Sequence, residues 1–127
     1  MREHQKFYVC KKCGNMIGLI KDQGVTLTCC NEQMTELVPN TVLASAEKHI
    51  PDITMSGDVM TVQVGSVAHP MEEGHHIEFI YVETEKGGQR KSLKAGDEPK
   101  HKFCFIDDKP VAVYEYCNVH GLWKIDL

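Results

Sequence analysis

Four cysteines near the start of the chain limit most strongly what it can fold into. They form a Cys10-x-x-Cys13 pair and, after fifteen intervening residues, the adjacent pair Cys29-Cys30. Four thiolates on two short loops are typical of a tetrahedral zinc or iron site. A segment of roughly three dozen residues is too small for an apolar core alone to stabilise its fold, so we expect a bound metal ion to stabilise it. The spacing alone leaves a purely structural zinc ribbon open.

The backbone around these cysteines is predicted to turn twice. Residues 17–20 and 25–28 flank Asp22-Gln23-Gly24, a pattern that predicts a hairpin whose second strand leads to the cysteine pair. Adjacent strand residues point to opposite faces of a sheet, so the chain must bend at Cys29-Cys30 to present both sulfurs to one ion. Residues 32–40, which include a proline, indicate a linker.

Short apolar stretches separated by turn residues follow this linker. Residues 59–64 alternate between apolar and polar side chains, and residues 77–84 form a strand with Ile77, Phe79 and Tyr81 predicted on one side. Further strands are predicted at residues 102–106, 111–116 and 122–126. Regularly spaced short strands without a visible helical period indicate a β-sandwich.

The composition therefore divides the 127-residue chain into two parts. Residues 1–37 are predicted to form a small domain around four cysteines, and residues 38–127 a larger sandwich domain. The predicted fold class is all-β.

A second candidate metal site comes from histidines next to predicted strand ends. Cys117 and His120 are separated by two residues after an apolar strand, and a thiolate and an imidazole on one turn can bind a single ion. His49, His69 and His75 lie in loop-like settings upstream, and one rim of a sandwich could gather them. The set would supply four imidazoles and one thiolate.

The remaining histidines and the sixth cysteine are given other interpretations. His75 and His76 compete for one ligand position, because neighbouring residues entering a strand face opposite ways, and the spacing from His69 favours His75. His4 and His101 have polar or charged neighbours and are predicted to be solvated. Cys104 lies in an apolar stretch and is predicted to be a buried, small hydrophobic residue.

Charge and hydropathy exclude several classes of function. The formal net charge is −4, without a block of like charges, which argues against nucleic acid and anionic membrane as partners. No apolar run approaches the length that spans a bilayer, and the first residues lack a secretory signal, so a cytoplasmic location is expected. In that reducing compartment, cysteines are more often metal ligands than disulfides.

Three segments of the sandwich domain resemble the signature segments of the superoxide reductase family. They are Glu47-Lys48-His49-Ile50-Pro51, His69-Pro70-Met71 with His75 close behind, and Cys117-Asn118-Val119-His120-Gly121-Leu122-Trp123. The N-terminal cysteines resemble the desulforedoxin-like domain of the two-iron class of that family, the desulfoferrodoxins. The resemblance covers essentially the whole chain, with the motifs in the expected order.

The resemblance implies a fold, two cofactors and a reaction. The fold would be a desulforedoxin-like domain followed by an immunoglobulin-like β-sandwich, with two iron ions per chain. One iron would be bound as Fe(Cys)4 by Cys10, Cys13, Cys29 and Cys30, and the other as Fe(His)4Cys by His49, His69, His75, Cys117 and His120. Lys48 and Glu47 would lie in the loop over the open face of the second iron, as catalytic residues. The reaction would be one-electron reduction of superoxide to hydrogen peroxide, with a rubredoxin-like electron donor and a homodimeric assembly.

Other functions are compatible with the same residues. A non-catalytic electron-transfer protein with two iron centres is the main alternative, and it would have no need of Lys48 beside His49. A zinc-stapled binding module would be colourless. A superoxide dismutase would not consume electrons from an external reductant.

Overall fold

The computed structural model describes residues 4–41 and 46–127, without the side chain of Glu47. The chain forms two compact units, Met1–Val38 and Pro39–Leu127, each with its own set of strands. Within the described residues, no helix has the length and apolar character needed to cross a membrane. Over residues 4–41 and 46–127 the fold is all-β apart from a single helical turn.

The first unit consists of short strands around a very small core. Its strands are β1 Lys6–Val9, β2 Met16–Leu19, β3 Thr28–Cys29, β4 Glu32–Gln33 and β5 Thr35–Glu36. Three of them form an antiparallel sheet in the order β2-β1-β5, and β3 pairs with β4 in a separate hairpin. Among the described residues of this unit, the buried side chains are those of Phe7, Cys10 and Met34. A core of this size needs a further constraint to stay folded, as a metal ion would provide.

Two predictions for this unit are wrong. The turn at Asp22 exists, and its carboxylate accepts a hydrogen bond from the amide of Gly24, but the segments on either side do not pair with each other. β2 pairs with β1 instead, and Ile20 and Val25 are exposed, because the two apolar stretches lack a common buried face. The predicted linker at residues 32–40 contains β4 and β5, whose short polar sequences resemble loop in composition.

The second unit is a two-sheet sandwich preceded by one helical turn. Its elements are α1 Ala46–His49, β6 Pro51–Ser56, β7 Val59–Val64, β8 Ile77–Thr84, β9 Gly87–Ser92, β10 Lys100–Cys104, β11 Pro110–Cys117 and β12 Gly121–Asp126. The sheets have the strand orders β10-β7-β6 and β12-β11-β8-β9, and all neighbours are antiparallel. Alternate residues of β7 and β8 enter one shared core, which includes Met60, Val62, Ile80 and Val82. The unit is an immunoglobulin-like β-sandwich.

Three expectations for the sandwich are corrected. Cys104 is exposed at the end of the edge strand β10, because Phe103 before it and Phe105 directly after the strand are the residues that point inward. Ile77 and Phe79 do not lie on the same side of β8, because Ile77 belongs to the core cluster and Phe79 does not. The pairing of β8 with β11 shifts between Tyr116 and Cys117, so that β8 has one extra residue at this point. The segment before Pro51 ends in a helical turn, which is too short to produce a periodic pattern.

The ligand-bearing segments lie at one end of this sandwich. The beginning of β6 pairs with the end of β7, and the beginning of β8 pairs with the end of β11. His49 lies two residues before the start of β6, His69 and His75 lie between β7 and β8, and the Cys117–His120 turn joins β11 to β12. The antiparallel topology therefore brings histidines that are far apart in the sequence to the same rim.

Candidate metal centres

Five side chains converge at the rim of the sandwich. The donor atoms of this five-donor group all lie within 4.8 Å of one another, and its members are His49, His69, His75, Cys117 and His120. The group contains every rim residue that the sequence predicts as a ligand. Five donors at this separation can bind one ion.

The four imidazoles of the five-donor group form a closed ring of neighbours. Going round from His49 to His69, His75, His120 and back to His49, the ring centroids are 4.6, 4.7, 5.1 and 4.8 Å apart. The corresponding planes meet at 77°, 83°, 75° and 88°. Four rings, each edge-on to the next, can direct one nitrogen apiece towards a common centre.

The nitrogen that faces the centre differs between the histidines. Nε2 of His49 lies 3.1 Å from Nε2 of His69 and 3.1 Å from Nδ1 of His120. Nε2 of His75 is buried and has no hydrogen-bond partner among the described residues. The arrangement thus offers three Nε2 atoms and one Nδ1 atom, a choice that residue spacing does not reveal.

This donor set fits a metal ion on its own chemistry. Nε2 of His49 lies 3.1 Å from a ring nitrogen of both His69 and His120, but it has only one proton or one lone pair and cannot form both hydrogen bonds. The buried Nε2 of His75 has no hydrogen-bond partner among the described residues. Burial lowers the pKa of His69 to about 4, so its imidazole is neutral at physiological pH. Nδ1 of His69 lies 2.7 Å from the carbonyl oxygen of Pro70, which fixes its proton there and leaves Nε2 free to bind metal.

Cys117 supplies the sulfur of the five-donor group. Its side chain is fully buried, and the amide of His120 donates a hydrogen bond to Sγ over 3.4 Å. Burial raises the pKa of the Cys117 thiol, and the amides of His120 and Val119 partly oppose that rise. A cation at the centre would favour the thiolate.

Trp123 supports two of the histidines, a role that sequence reasoning missed. Its ring stacks on His49 with centroids 4.9 Å apart and 26° between the planes. Its indole Nε1 donates to the carbonyl oxygen of His120 over 3.2 Å. A tryptophan three residues after a candidate ligand was the available signal, since its buried N–H needs an acceptor.

The other predicted residues of this region lie in different settings. Lys48 is exposed at the end of α1, next to the buried His49, and the side chain of Glu47 lies outside the described residues. His76 is half-buried, and its Nδ1 lies 3.1 Å from the carbonyl oxygen of Glu72 rather than in the five-donor group. His4 and His101 also lie outside both groups of donors.

A second group of donors comprises the four N-terminal cysteines. The sulfurs of Cys10, Cys13, Cys29 and Cys30 all lie within 4.8 Å of one another, with Cys13 and Cys29 at 3.6 Å. The backbone amide of Cys13 lowers the pKa of Cys10 to about 7, whereas contact with the Cys13 side chain raises the pKa of Cys30 to about 12. The four thiols therefore cannot ionise together unless a cation neutralises them, as a tetrathiolate metal centre requires.

A tight turn brings the adjacent cysteines to one ion. Cys30 and Asn31 have φ values of 54° and 60° and form the two-residue loop between β3 and β4, in which Cys29 pairs with Glu32. Positive φ at both loop residues is the geometry of a type I′ hairpin turn. The bend that the sequence requires at Cys29-Cys30 is thus confirmed.

Comparison with known proteins identifies the family. Residues 41–126, most of the sandwich and its ligands, match the family model described as Desulfoferrodoxin. The chain belongs to the desulfoferrodoxin family. It is 43% identical over 124 residues to the desulfoferrodoxin homolog of Archaeoglobus fulgidus, covering 98% of both chains. It is 42% identical over 126 residues to the desulfoferrodoxin of Nitratidesulfovibrio vulgaris, covering 99% of both.

Solved structures extend this relationship. The superoxide reductase from Treponema pallidum superimposes with a TM-score of 0.82 and 34% identity, covering 98% of this chain and 100% of that one. The tetracysteine group, which consists of Cys10, Cys13, Cys29 and Cys30, and the five-donor group match the two iron centres of desulfoferrodoxins, Fe(Cys)4 and Fe(His)4Cys. The iron cofactors implied by the sequence resemblance are therefore confirmed at the level of the family.

Proposed function

We propose that this desulfoferrodoxin is a superoxide reductase. The reaction combines superoxide with one electron and two protons to give hydrogen peroxide, and an external donor then restores the electron. The observation that carries the proposal is the five-donor group, in which four imidazole nitrogens and one thiolate surround a single centre. Five protein ligands leave one position of an octahedral ion for a small molecule.

Iron bound to this group would supply the electron that reduces superoxide. Four neutral imidazoles suit ferrous iron, and the buried Cys117 thiolate donates electron density to it. By formal charges, Fe(II) with one thiolate leaves a site of about +1. The imidazoles are held in place by burial, by the stack on Trp123 and by the Pro70 carbonyl.

Lys48 is proposed to attract the substrate. The chain carries a net charge of −4, which repels an anion at long range, so a local positive charge is needed for rapid encounter. Lys48 is exposed and directly precedes the buried His49 in the chain, which supports a role for it as a cation near the site. The same ammonium group would order a water molecule that delivers a proton to the product.

The remaining roles are proposed from the family resemblance. Glu47 would bind the oxidised iron after the product leaves, and a rubredoxin-like protein would return the electron. The Fe(Cys)4 centre would act as an accessory one-electron site, because four thiolates leave no position for substrate. Homodimerisation would enlarge the small core of the N-terminal unit. All six cysteines are free, in keeping with a reducing, cytoplasmic location.

A charge-removal experiment tests the role of Lys48. We expect pulse radiolysis of the reduced protein at low ionic strength to give a second-order rate constant for Lys48→Ile about tenfold below the wild-type value. A factor of about ten is the smallest rate enhancement that electrostatic steering usually gives. The difference should shrink as salt is added. Lys109→Ile is the matched control: it removes the same charge from an exposed residue beside the opposite end of β11, roughly 25 Å from Cys117 at the rise of a strand. Equal rate constants for the two variants would contradict the steering role.

The reaction itself is tested by stoichiometry. A superoxide reductase oxidises one equivalent of reductant for each superoxide and releases peroxide without oxygen. A dismutase consumes no reductant, and an electron carrier without an open coordination position shows no change of spectrum when azide is added to its oxidised form. Absence of reductant oxidation under a superoxide flux would refute the proposed function.

A further inference from the structure

Asn118 lies inside the Cys117–His120 turn but is not itself a metal donor. Its side chain is exposed, and it reaches across to the loop that carries His75. The side-chain oxygen accepts a hydrogen bond from the amide of His76 over 2.9 Å, and Nδ2 donates to the carbonyl oxygen of Gly74 over 3.2 Å. The backbone amide of Asn118 also donates to the carbonyl oxygen of His76 over 3.2 Å.

These bonds bracket a single ligand. Gly74 and His76 are the residues immediately before and after His75, so one amide side chain holds the peptide groups on both sides of that ligand. Asn118 is also the residue directly after Cys117. One residue therefore connects the backbone of the sulfur ligand to the backbone of an imidazole ligand.

The neighbouring strands alone do not fix the separation between the Cys117–His120 turn and the loop that carries His75. The ladder between β8 and β11 is irregular at this point, with a register shift between Tyr116 and Cys117. The loop before β8 keeps its own shape through two backbone hydrogen bonds between Glu72 and His75, of 2.9 and 3.1 Å. Asn118 is therefore not needed to shape the loop, but its bonds fix where the loop lies relative to the turn.

We propose that Asn118 is a positioning residue that fixes the imidazole of His75 relative to the thiolate of Cys117. This role rests on the metal site of the proposed function but not on its reaction with superoxide. Groups that orient ligands without touching the metal commonly change metal affinity 10–100-fold when they are removed. Because the bonds of Asn118 are exposed to water, we expect the lower end of that range.

The test uses cobalt(II) as the probe in the full-length protein. Cobalt(II) reports ligand geometry through its d–d bands and its thiolate-to-metal charge-transfer band, and it requires neither superoxide nor an electron donor. In Asn118→Ala we expect a displaced or broadened charge-transfer band for the five-donor group and about tenfold faster release of cobalt to a chelator. The bands of cobalt in the tetracysteine group should stay unchanged in the same sample.

Gln89→Ala is the matched control. Gln89 is another exposed amide side chain that joins two strands, with Nε2 donating to the carbonyl oxygen of Cys104 over 2.9 Å, and it is not part of either donor group. It should change neither the spectrum nor the release rate, even if both variants unfold at a lower temperature.

A loss of thermal stability in Asn118→Ala with wild-type bands and release rate would overturn the proposal. Asn118→Asp provides a second variant, because it keeps the acceptor for the His76 amide and loses the donor to Gly74. Its charge-transfer band should shift less than that of the alanine variant, and a larger shift would contradict the positioning role. If superoxide reduction failed its own test, these cobalt measurements would still stand.

Discussion

The structure separates two adjacent histidines, and exchanging each for alanine tests that separation. Nε2 of His75 is buried in the five-donor group without another partner, whereas His76 makes a hydrogen bond to the Glu72 carbonyl. Apparent binding free energies of about 10–16 kcal/mol for four-ligand zinc sites correspond to roughly 3 kcal/mol for each ligand. His75→Ala should therefore weaken metal binding at this site about 100-fold. His76→Ala loses one partly exposed hydrogen bond, worth about 1 kcal/mol of folding stability, and no ligand.

The assay is anaerobic competition for metal against a chelator of known affinity, followed by iron analysis. Wild-type protein and His76→Ala should retain two iron ions per chain, and His75→Ala should retain about one, held by the tetracysteine group. The tetracysteine spectrum serves as an internal standard for correctly folded protein. Weaker metal binding in His76→Ala than in His75→Ala would refute the assignment and the geometry from which it comes.

Two further predictions concern buried polar groups of the sandwich. Glu115 is fully buried, neither carboxylate oxygen has a partner among the described residues, and burial raises its pKa well above the usual value of 4.5. Above pH 4.5, Glu115 ionises in the unfolded chain but stays protonated in the folded protein. The free energy of unfolding of the wild-type protein should therefore fall as the pH rises above 4.5. Urea unfolding of zinc-loaded Glu115→Gln should show a gain of about 1–3 kcal/mol at pH ~8.5 and a smaller one at pH ~5.5; an equal gain at both would contradict ionisation as the cause. Tyr114 donates a buried hydrogen bond to Oε1 of Glu83 over 2.9 Å, and Tyr114→Phe should cost about 2 kcal/mol in the same assay. Tyr81→Phe, which loses a 3.5 Å bond on the half-buried side of the sheet, should cost clearly less, and equal costs would show that the Glu83 bond contributes little.

Much of this architecture could be predicted because the candidate metal ligands lie next to segments whose sequences clearly predict β-strands. The alternation at residues 59–64 and the apolar run before Cys117 locate two strand ends, and antiparallel pairing brings such ends together. The thiolate count and the small size of the N-terminal unit made a metal centre there a physical requirement. These arguments need only the order of residue types along the chain.

Other features depend on orientation, which residue order does not contain. The extra residue of β8 moves Ile77 into the core, although strict alternation places it with Phe79. Cys104 has apolar neighbours on both sides, yet it occupies the outward position of an edge strand. The use of Nδ1 by His120, and of Nε2 by His49, follows from side-chain torsions that are fixed only by packing.

Metal binding at the five-donor group would also affect the stability of the folded sandwich domain. The ion would join segments that are distant in sequence, since the first and last members of the group, His49 and His120, are 71 residues apart. A cross-link that closes a loop of this length restricts the unfolded chain by about 4 kcal/mol in the chain-entropy account, as much as a disulfide would. With all six thiols free, the metal takes the place of such a bond. A molecule that loses its metal should therefore open more easily at the rim and be cleaved sooner by proteases.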